Sequence, residues 1–413
     1  MKMKKILYIF GLLAVLASCA RIETVGEEDM RIGFDTYALR TTKAGDSYIG
    51  GNGNSTTNIP VNSKFGVFAY FHPGDANTST IGKWNNANVN SNYSNMLLNE
   101  PVTRVEDGNT YDYTYTNSRY WPKNNLDRIS FFAYYPYAEN AFVVAENATS
   151  DGTGITLQDP EDDHYGYSHN PVGFPKFKFV VNKVASKQVD FMISDMCLNQ
   201  SKKAHVLTGT DDDVHNVHDV KFTFHHMLSQ IRIKTVNFFK ENDDVTVELV
   251  SFRFLGVPIS GIVTPSINPA DLDANGEPVN ANGFARMDFV WNGFNSSNSE
   301  FTATIYDDSG TDAEKQAAIL LMIPHQFSED TDKDIIEVTF KVTRAENANG
   351  EHYEYTGHLS APLSSGGLSG WERNKIYNYT ISVSLNDISL SAEVEDWPEA
   401  STDVNTIKIN LES

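Results

Sequence analysis

Short apolar runs recur along most of this chain, and turn residues follow nearly every run. Residues 65–71 form an aromatic and apolar run that ends at a His-Pro-Gly turn, and tyrosines occupy alternate positions from Tyr111 to Tyr115. A period of two is typical of strands, because successive side chains point to opposite faces of a sheet. No stretch in the first half keeps the apolar spacing of a helix through three turns. The pattern therefore predicts an all-β protein.

The apolar runs give the expected positions of the strands. In the first half they lie over residues 31–39, 65–71, 96–102, 111–116, 129–135, 142–145, 177–181 and 189–192. In the second half they lie over residues 220–224, 231–236, 245–250, 252–255, 301–306, 319–323, 335–342, 353–358 and 377–383. Residues 264–283 predict a long loop and residues 311–318 one or two helical turns. Many short strands with such turn signals predict a β-sandwich in each half, joined by a polar linker over 200–218.

The first 19 residues have the pattern of an export leader. Three lysines precede an unbroken apolar run from Ile6 to Leu16, which is too short to span a bilayer. The run ends in Leu16-Ala-Ser-Cys19, which resembles a bacterial lipobox. That resemblance implies that Cys19 is acylated and becomes the mature N-terminus, so that the leader covers residues 1–18. A plain signal peptide with a stray cysteine and a signal anchor are the alternatives.

Composition and charge exclude several functional classes. Hydrophobic residues make up 40% of the chain and aromatic residues 12%, which is enough to build a core. The net charge is −22, and loss of a leader that holds lysines and no acid makes the mature chain more acidic still. Because such a chain repels phosphates, nucleic acid is not an expected partner. Once Cys19 carries lipid, Cys197 is the remaining cysteine and no intrachain disulfide can form.

Three polar clusters imitate chemical sites. Residues 271–276 match the start of a calcium-binding loop, but Asn282 stands where the bidentate Glu is required, and an Asx-rich turn is favoured. His215 and His218, near His225-His226, lack a cysteine partner or a helical pair for zinc. The carboxylates of residues 159–164 lie in loop-like sequence. We predict no catalytic residue, no metal site and no cofactor, and the chain is not expected to be an enzyme.

Several phrases taken together resemble the fimbrillin family, the lipoprotein pilin precursors of type V pili in Bacteroidales. They follow in the order of the family along essentially the whole mature chain: Phe65-Gly-Val-Phe-Ala-Tyr-Phe71, Arg119-Tyr-Trp-Pro122, Ile129-Ser-Phe-Phe-Ala-Tyr-Tyr-Pro136, Phe222-Thr-Phe-His-His-Met-Leu228, Leu320-Leu-Met-Ile-Pro324, Trp371-Glu-Arg-Asn-Lys-Ile-Tyr-Asn-Tyr-Thr380 and Val394-Glu-Asp-Trp397. Singly each phrase is weak, and their order is the specific signal.

The resemblance implies two tandem transthyretin-like β-sandwich domains that assemble by strand exchange. An Arg-specific outer-membrane protease cuts away the first strand, and a strand of another subunit fills the groove that is left. In this chain the cut maps between Arg40 and Thr41, directly after the strand that contains Ile32 and Phe34. Arg21 and Arg31 lie upstream as alternative cleavage positions, and a solvated Arg at a strand end is the structural alternative.

A candidate donor strand lies at residues 404–411. Ile407, Ile409 and Leu411 alternate there with polar residues, which gives the apolar face that a donor strand needs. The alternative is an edge strand that closes its own domain.

These expectations divide the chain into four parts. After the leader, residues 19–63 hold the tether, the removable first strand and a flexible loop. Residues 64–215, with strand 31–39, form the N-terminal sandwich, and residues 216–413 form the C-terminal sandwich with the donor strand.

The expected function is that of a fimbrial subunit precursor, lipid-anchored and surface-exposed at the outer membrane, that forms fibres for adhesion. The expected partners are other fimbrial subunits, the outer membrane through the lipid anchor, the maturation protease and an unidentified surface ligand. The alternative is a monomeric surface lipoprotein that captures a glycan or a host protein through loops 44–63 or 74–95.

Overall fold

The chain folds almost entirely into strands, as its apolar pattern predicts. Its structure is a computed structural model that describes residues 31–38, 59–92, 94–107, 110–139, 155–158, 173–183, 187–202, 219–237, 245–279, 284–296, 300–304, 317–328, 330, 333–344, 353–383, 388–396 and 407–408. None of the helical segments within these ranges has the length and apolar character to cross a bilayer.

The strands are numbered here in chain order. They are β1 (Gly33–Ala38), β2 (Lys64–His72), β3 (Leu97–Asp107), β4 (Thr110–Tyr115), β5 (Arg128–Tyr135), β6 (Ile155–Gln158), β7 (Lys176–Val180), β8 (Met192–Ser194), β9 (Met196–Gln200), β10 (Asp219–His226), β11 (Ser229–Asn237), β12 (Val245–Leu255), β13 (Ser260–Ile267), β14 (Phe284–Ala285), β15 (Met287–Asn295), β16 (Glu300–Thr304), β17 (Ala317–Met322), β18 (His325–Gln326), β19 (Ile335–Arg344), β20 (Tyr353–Pro362), β21 (Gly370–Trp371), β22 (Lys375–Val383), β23 (Ile388–Asp396) and β24 (Ile407–Lys408).

The strands form four larger sheets. The first sheet has the order β1-β10-β8-β5-β2-β3-β4, and β9 and β14 extend it beside β5. The second sheet is β17-β11-β22-β23-β24, the third is β16-β12-β19-β20 and the fourth is β15-β13-β7-β6. Among the described residues, β1 with β10 and β11 with β22 are the two parallel pairs.

The two central strands of the first sheet explain the aromatic runs of the sequence. Most residues of β2 and β5 are buried on both faces, so these strands show continuous apolar runs instead of alternation. One face of the first sheet packs around Phe65, Phe131 and Phe222. The other face joins a core cluster that continues through the remaining sheets, where Tyr134 contacts Phe177 of the fourth sheet at 5.1 Å between ring centroids. The result is the layered, sandwich-like all-β fold that was expected.

The placement of β10 bears on the division of the chain near residue 215. Its residues follow the expected boundary, yet β10 lies between β1 and β8 in the first sheet. The alternation of Val220, Phe222 and Phe224 in the sequence matches this placement, since all three are buried in the core of the first sheet. The division into two folding units at residues 215/216 stays a prediction. Strand pairing nevertheless crosses this position, because β10 follows it in the sequence and pairs with β1 and β8, which precede it.

Two local expectations were wrong. Residues 264–267 belong to strand β13, because their ladder with β15 places even Pro265 opposite Phe289. The polar composition that suggested a loop describes only the part that follows, where Asn268 caps a short 3₁₀ turn over Pro269–Asp271. Residues 317–318 begin strand β17 instead of ending a helical turn, since β17 pairs with β11 in the second sheet. Of the other predicted positions, those outside the described residues are 39, 142–145, 280–283, 305–306 and 311–316.

A buried hydrogen bond in the second half provides a test of the fold. The Trp371 indole N–H donates to the Tyr379 hydroxyl at 2.9 Å, and both side chains are buried. Tyr379→Phe leaves the indole N–H without this partner, and we expect it to lower the free energy of unfolding by about 1–3 kcal/mol. Denaturant unfolding measures the change. The matched control is Tyr355→Phe at a 62% exposed tyrosine, which should change stability by less than about 0.5 kcal/mol. Equal effects of the two variants would contradict the assignment.

Candidate functional site at the first strand

Strand β1 fills one edge of the first sheet with its inward side chains. Ile32, just before it, and Phe34 and Thr36 within it are at most 2% exposed. The Phe34 ring lies 5.2 Å from Tyr115 and 5.8 Å from Phe222 between centroids. Full burial of a side chain of this size contributes about 1.5–3 kcal/mol. An apolar trough therefore lies beneath this edge strand.

The two edges of β1 are held by different kinds of contact. Along one edge, six consecutive residues from Gly33 to Ala38 pair in parallel with β10, from Asp219 to Phe224. Along the other edge the strand has no ladder within the described part of the chain. Tyrosine hydroxyls from β4 hold it there, and a single backbone bridge joins Arg31, just before the strand, to Tyr120. A strand with one ladder and a few further contacts can be replaced without dismantling the sheet.

Two tyrosines of β4 provide these hydroxyl contacts. Tyr115 donates to the carbonyl oxygen of Ile32 at 2.8 Å, and the hydroxyls of Tyr113 and Thr36 are 2.8 Å apart in a buried hydrogen bond. The guanidinium of Arg31 lies 5.0 Å from the centre of the Tyr115 ring, a distance at which a cation is attracted to the ring face. The backbone N–H of Ile32 donates to the carbonyl oxygen of Arg119 at 2.9 Å. Together these contacts fix the start and the register of the strand.

Carboxylates crowd the beginning of β1. Gly33 pairs with Asp219, and a Cβ added at Gly33 would overlap the Asp219 carboxylate. Burial raises the pKa of Asp219 to about 7, with a further rise from the charges of Asp35 and Asp112 and an opposing effect of Lys221. Burial also raises the pKa of Asp35. The apolar trough thus stabilises the seated strand, while ionisation of this cluster opposes it.

Most of the site residues expected from the sequence lie outside the described residues. These are Cys19, Arg40, Thr41, Ile409 and Leu411. Ile407 is described through its backbone: β24 pairs antiparallel with β23, with Ile407 opposite Val394 and Lys408 opposite Glu393. In the single chain this short strand therefore lies at an edge of the second sheet, which is the alternative that the sequence left open.

The sequence did not reveal several residues of the site. Thr36 continues the alternation of Ile32 and Phe34, but a polar residue gives no apolar signal in the sequence. The alternation of Tyr113 and Tyr115 predicts a strand but not their contacts with β1. Their role depends on β4 approaching β1 from the far end of the strand order, which no local pattern encodes.

The other polar clusters have structural explanations where they are described. Asp273 accepts hydrogen bonds from the backbone N–H groups of Asn275 and Glu277, both at 2.8 Å, so the calcium-like segment forms an Asx turn. His226 Nδ1 lies 2.8 Å from Asp190 Oδ2 in the core. His215, His218 and residues 159–164 lie outside the described residues. Within the described ranges no group of three acidic, His or Cys side chains is arranged to hold a metal ion.

A family model matches most of this chain. The fimbrillin-like family model matches residues 53–397, and a model of the prokaryotic membrane lipoprotein lipid attachment site matches residues 3–20. A fimbrial protein from Bacteroides vulgatus is similar in structure, with 19% identity, a TM-score of 0.52 and coverage of 89% of this chain and 99% of that chain. The tip fimbrial protein Mfa3 from Porphyromonas gingivalis, truncated at its C-terminus, has 13% identity, a TM-score of 0.31 and coverage of 82% and 95%. No curated protein sequence matches significantly.

The carboxylate cluster predicts a pH dependence of stability. Since the pKa of Asp219 is about 7 in the folded chain and near 4 in an unfolded one, the folded chain retains a proton that the unfolded chain releases. Folding is therefore penalised increasingly from about pH 4 to pH 7, and fully above pH 7. Asp219→Asn removes this penalty. We expect the variant to match the parent at pH 4 and to gain about 1 kcal/mol in the free energy of unfolding at pH 8, allowing for solvent screening.

Denaturant unfolding at pH 4, 6 and 8 measures this difference. Asp288→Asn is the control, because Asp288 is exposed and lies away from β1. A difference between parent and Asp219→Asn that stays constant across the three pH values would contradict the role of the cluster.

Proposed function

The chain belongs to the fimbrillin-like family, and on that premise we propose that it is a fimbrial subunit precursor that polymerises by exchanging its first strand. The family and its structural neighbours are fimbrial and adhesion proteins, not enzymes. A model of the prokaryotic lipoprotein attachment site also matches the chain, which together with the family supports a membrane-anchored surface protein. In the proposal Cys19 bears the lipid, the anchor lies in the outer membrane, and the mature subunits form surface fibres for adhesion.

The observation that carries the proposal is the one-sided ladder of β1 above an apolar trough. Loss of the strand would leave the backbone groups of β10 unpaired and the pockets of Ile32 and Phe34 empty. An unpaired edge of this kind is a template for an incoming strand, which gains main-chain hydrogen bonds and inserts alternate side chains into the pockets. The vacated sheet therefore favours association with a strand from a neighbouring subunit.

The position of Arg40 suits the release of the complete first strand. Cleavage after Arg21 or Arg31 would leave Ile32, Phe34 and Thr36 attached to the rest of the chain. Arg40 is the one arginine in the sequence between β1 and β2. The chain is anchored again at Ile59, which is buried and accepts a hydrogen bond from Arg104 at 2.6 Å. A cut between Arg40 and Thr41 therefore releases β1 from the chain. The new N-terminal segment is still held to the domain at Ile59.

The proposed donor strand is residues 404–411 of another copy, through Ile407, Ile409 and Leu411. In the single chain β24 pairs with β23 over two residues, whereas β1 pairs with β10 over six. A short ladder costs little to break, so this segment can leave the second sheet for a longer ladder in a partner subunit. The remaining proposed partners are an Arg-specific protease and a surface ligand of unidentified chemistry.

Substitution of Arg40 should prevent proteolytic maturation and leave folding unchanged. We expect Arg40→Ala to fold like the parent and to remain monomeric after treatment with an Arg-specific protease. The parent should be cut before Thr41 and form ladders of oligomers. N-terminal sequencing and non-denaturing gels measure the two outcomes. Arg31→Ala is the control, which should still be cut at Arg40 and form ladders. A parent protein that is cut at Thr41 and stays monomeric would instead support a monomeric surface lipoprotein.

Removal of residues 404–413 should abolish the donor function of the chain and leave its acceptor groove intact. We expect the truncated chain to keep its fold, because the described part of this segment contributes only the two-residue strand β24. After cleavage it should form no ladder, yet it should join at one end of oligomers made by the cut parent. Thermal unfolding checks the fold, and mixing experiments on gels check the incorporation. Oligomers formed by the truncated chain alone would contradict the assignment of residues 404–411 as the donor strand.

A further inference from the structure

We propose that residues 408–413 of a second copy replace residues 31–36 position by position, in the same direction along β10. This inference rests on the proposed strand exchange and adds to it the register and direction of the incoming segment. The two segments have related sequences: Arg31-Ile-Gly-Phe-Asp-Thr36 and Lys408-Ile-Asn-Leu-Glu-Ser413. Each position except the third has the same chemical class in both, in the order basic, isoleucine, apolar, acidic and hydroxyl.

The inward positions of the groove match the inward residues of the incoming segment. Ile409 takes the position of Ile32, which is fully buried, and Leu411 takes that of Phe34. Leucine is smaller than phenylalanine, so the aromatic rings around Phe34 have to close around the smaller side chain. The apolar character needed at both positions is preserved.

The third inward position selects for a hydroxyl group. Thr36 is buried and shares a hydrogen bond with the hydroxyl of Tyr113. An apolar residue at this position would leave the phenol without that bond, at a cost of about 1–3 kcal/mol. Ser413 provides a hydroxyl at this position and keeps the bond to Tyr113.

The outward positions match in charge. Arg31 lies above the ring of Tyr115, and Lys408 brings a cation to the same place. Asp35 pairs in register with Lys221; burial raises the pKa of its carboxyl, and the charges of Lys221 and Arg104 oppose that rise. Glu412 would face Lys221 in the same way. Both ends of the hexapeptide are therefore recognised by groups that already hold the first strand.

The one mismatch has a simple resolution. Asn410 replaces Gly33, where a Cβ would overlap the carboxylate of Asp219. That carboxylate is the end of a side chain and can turn aside. The amide of Asn410 can then donate a hydrogen bond to it, which offsets the cost of placing this carboxylate near Asp112 and near Glu412, the residue that takes the position of Asp35.

Other registers lose these matches. A parallel shift by two residues places Leu411 against the hydroxyl of Tyr113 and Asn410 opposite Lys221. An antiparallel strand with Asn405 at the position of Thr36 places Thr406 opposite Lys221. In both cases the acid that faces Lys221 in the seated first strand is lost. The three registers thus differ in which residue lies opposite Lys221.

The segment also has the reach to enter a neighbouring copy. Eleven residues, 397–407, separate the end of β23 from Lys408. At about 3.3–3.6 Å per residue they span up to about 36–40 Å when extended. In this proposal residues 31–36 occupy the groove first, and residues 408–413 of another copy, which have side chains of the same classes, replace them.

Disulfide trapping tests the register. Three double variants of the full chain combine Lys221→Cys with Glu412→Cys, Asn410→Cys or Thr406→Cys, one for each register. Each protein is cut with an Arg-specific protease, allowed to assemble and oxidised with oxidised glutathione. Neighbouring strand positions bring Cα atoms within the range that a disulfide requires. Cys19 leaves with the removed segment, and Cys197 is buried, with a pKa raised well above that of an exposed thiol.

We expect the Lys221→Cys/Glu412→Cys variant to form a series of covalent oligomers that disappears on reduction. The other two double variants should form no covalent oligomers. A ladder from the Asn410→Cys or the Thr406→Cys pair, or no covalent ladder from any pair while non-covalent oligomers persist, would overturn the proposed register. A disulfide within one chain would overturn the exchange between copies. If the cut parent itself forms no oligomers, the proposed function fails, which is a distinct result.

Discussion

The edge of the first sheet beside β10 has to be occupied for the fold to be complete. The aromatic core of this sheet is closed on one side by Ile32, Phe34 and Thr36, and these residues enter it from a strand that is held by a single ladder. Every other feature of the site follows from this arrangement. An edge of this kind, once emptied, exposes both unpaired backbone groups and apolar pockets, and it is stable only when another strand fills it.

The seated strand is stabilised and opposed by different forces. Burial of its apolar side chains favours the seated state, while the carboxylates of Asp219, Asp35 and Asp112 lie close together at its beginning. Hydrophobic burial is insensitive to pH, whereas the charge of this cluster is not. The strand therefore completes the first sheet of this chain, and its stability falls as the cluster ionises.

Tyr113 and Tyr115 contact the first strand through groups other than the ladder with β10. Backbone pairing with β10 would accept almost any extended segment, because ladders do not distinguish side chains. The hydroxyl of Tyr113 requires a polar partner at one inward position, and the ring of Tyr115 favours a cation just before the strand. Selection by a buried polar group is efficient because the wrong segment leaves that group unpaired.

Sequence alone was sufficient for the class of fold, the export leader and the family. The continuous apolar runs of β2 and β5 and the alternation of Val220, Phe222 and Phe224 are local patterns, which predict a strand whatever its partner is. The order of the family phrases added the fimbrial role, which the match over residues 53–397 supports independently.

Only the tertiary structure decided which strands meet. Nothing local in the sequence tells β10 to pair with β1, more than 180 residues earlier, or brings the tyrosines of β4 to the far edge of β1. The tertiary structure also shows that residues 264–267 form a strand, because the ladder with β15 outweighs the turn propensity of Pro265. Periodicity records which face of a strand is buried, but the partner is selected by the packing of the whole chain.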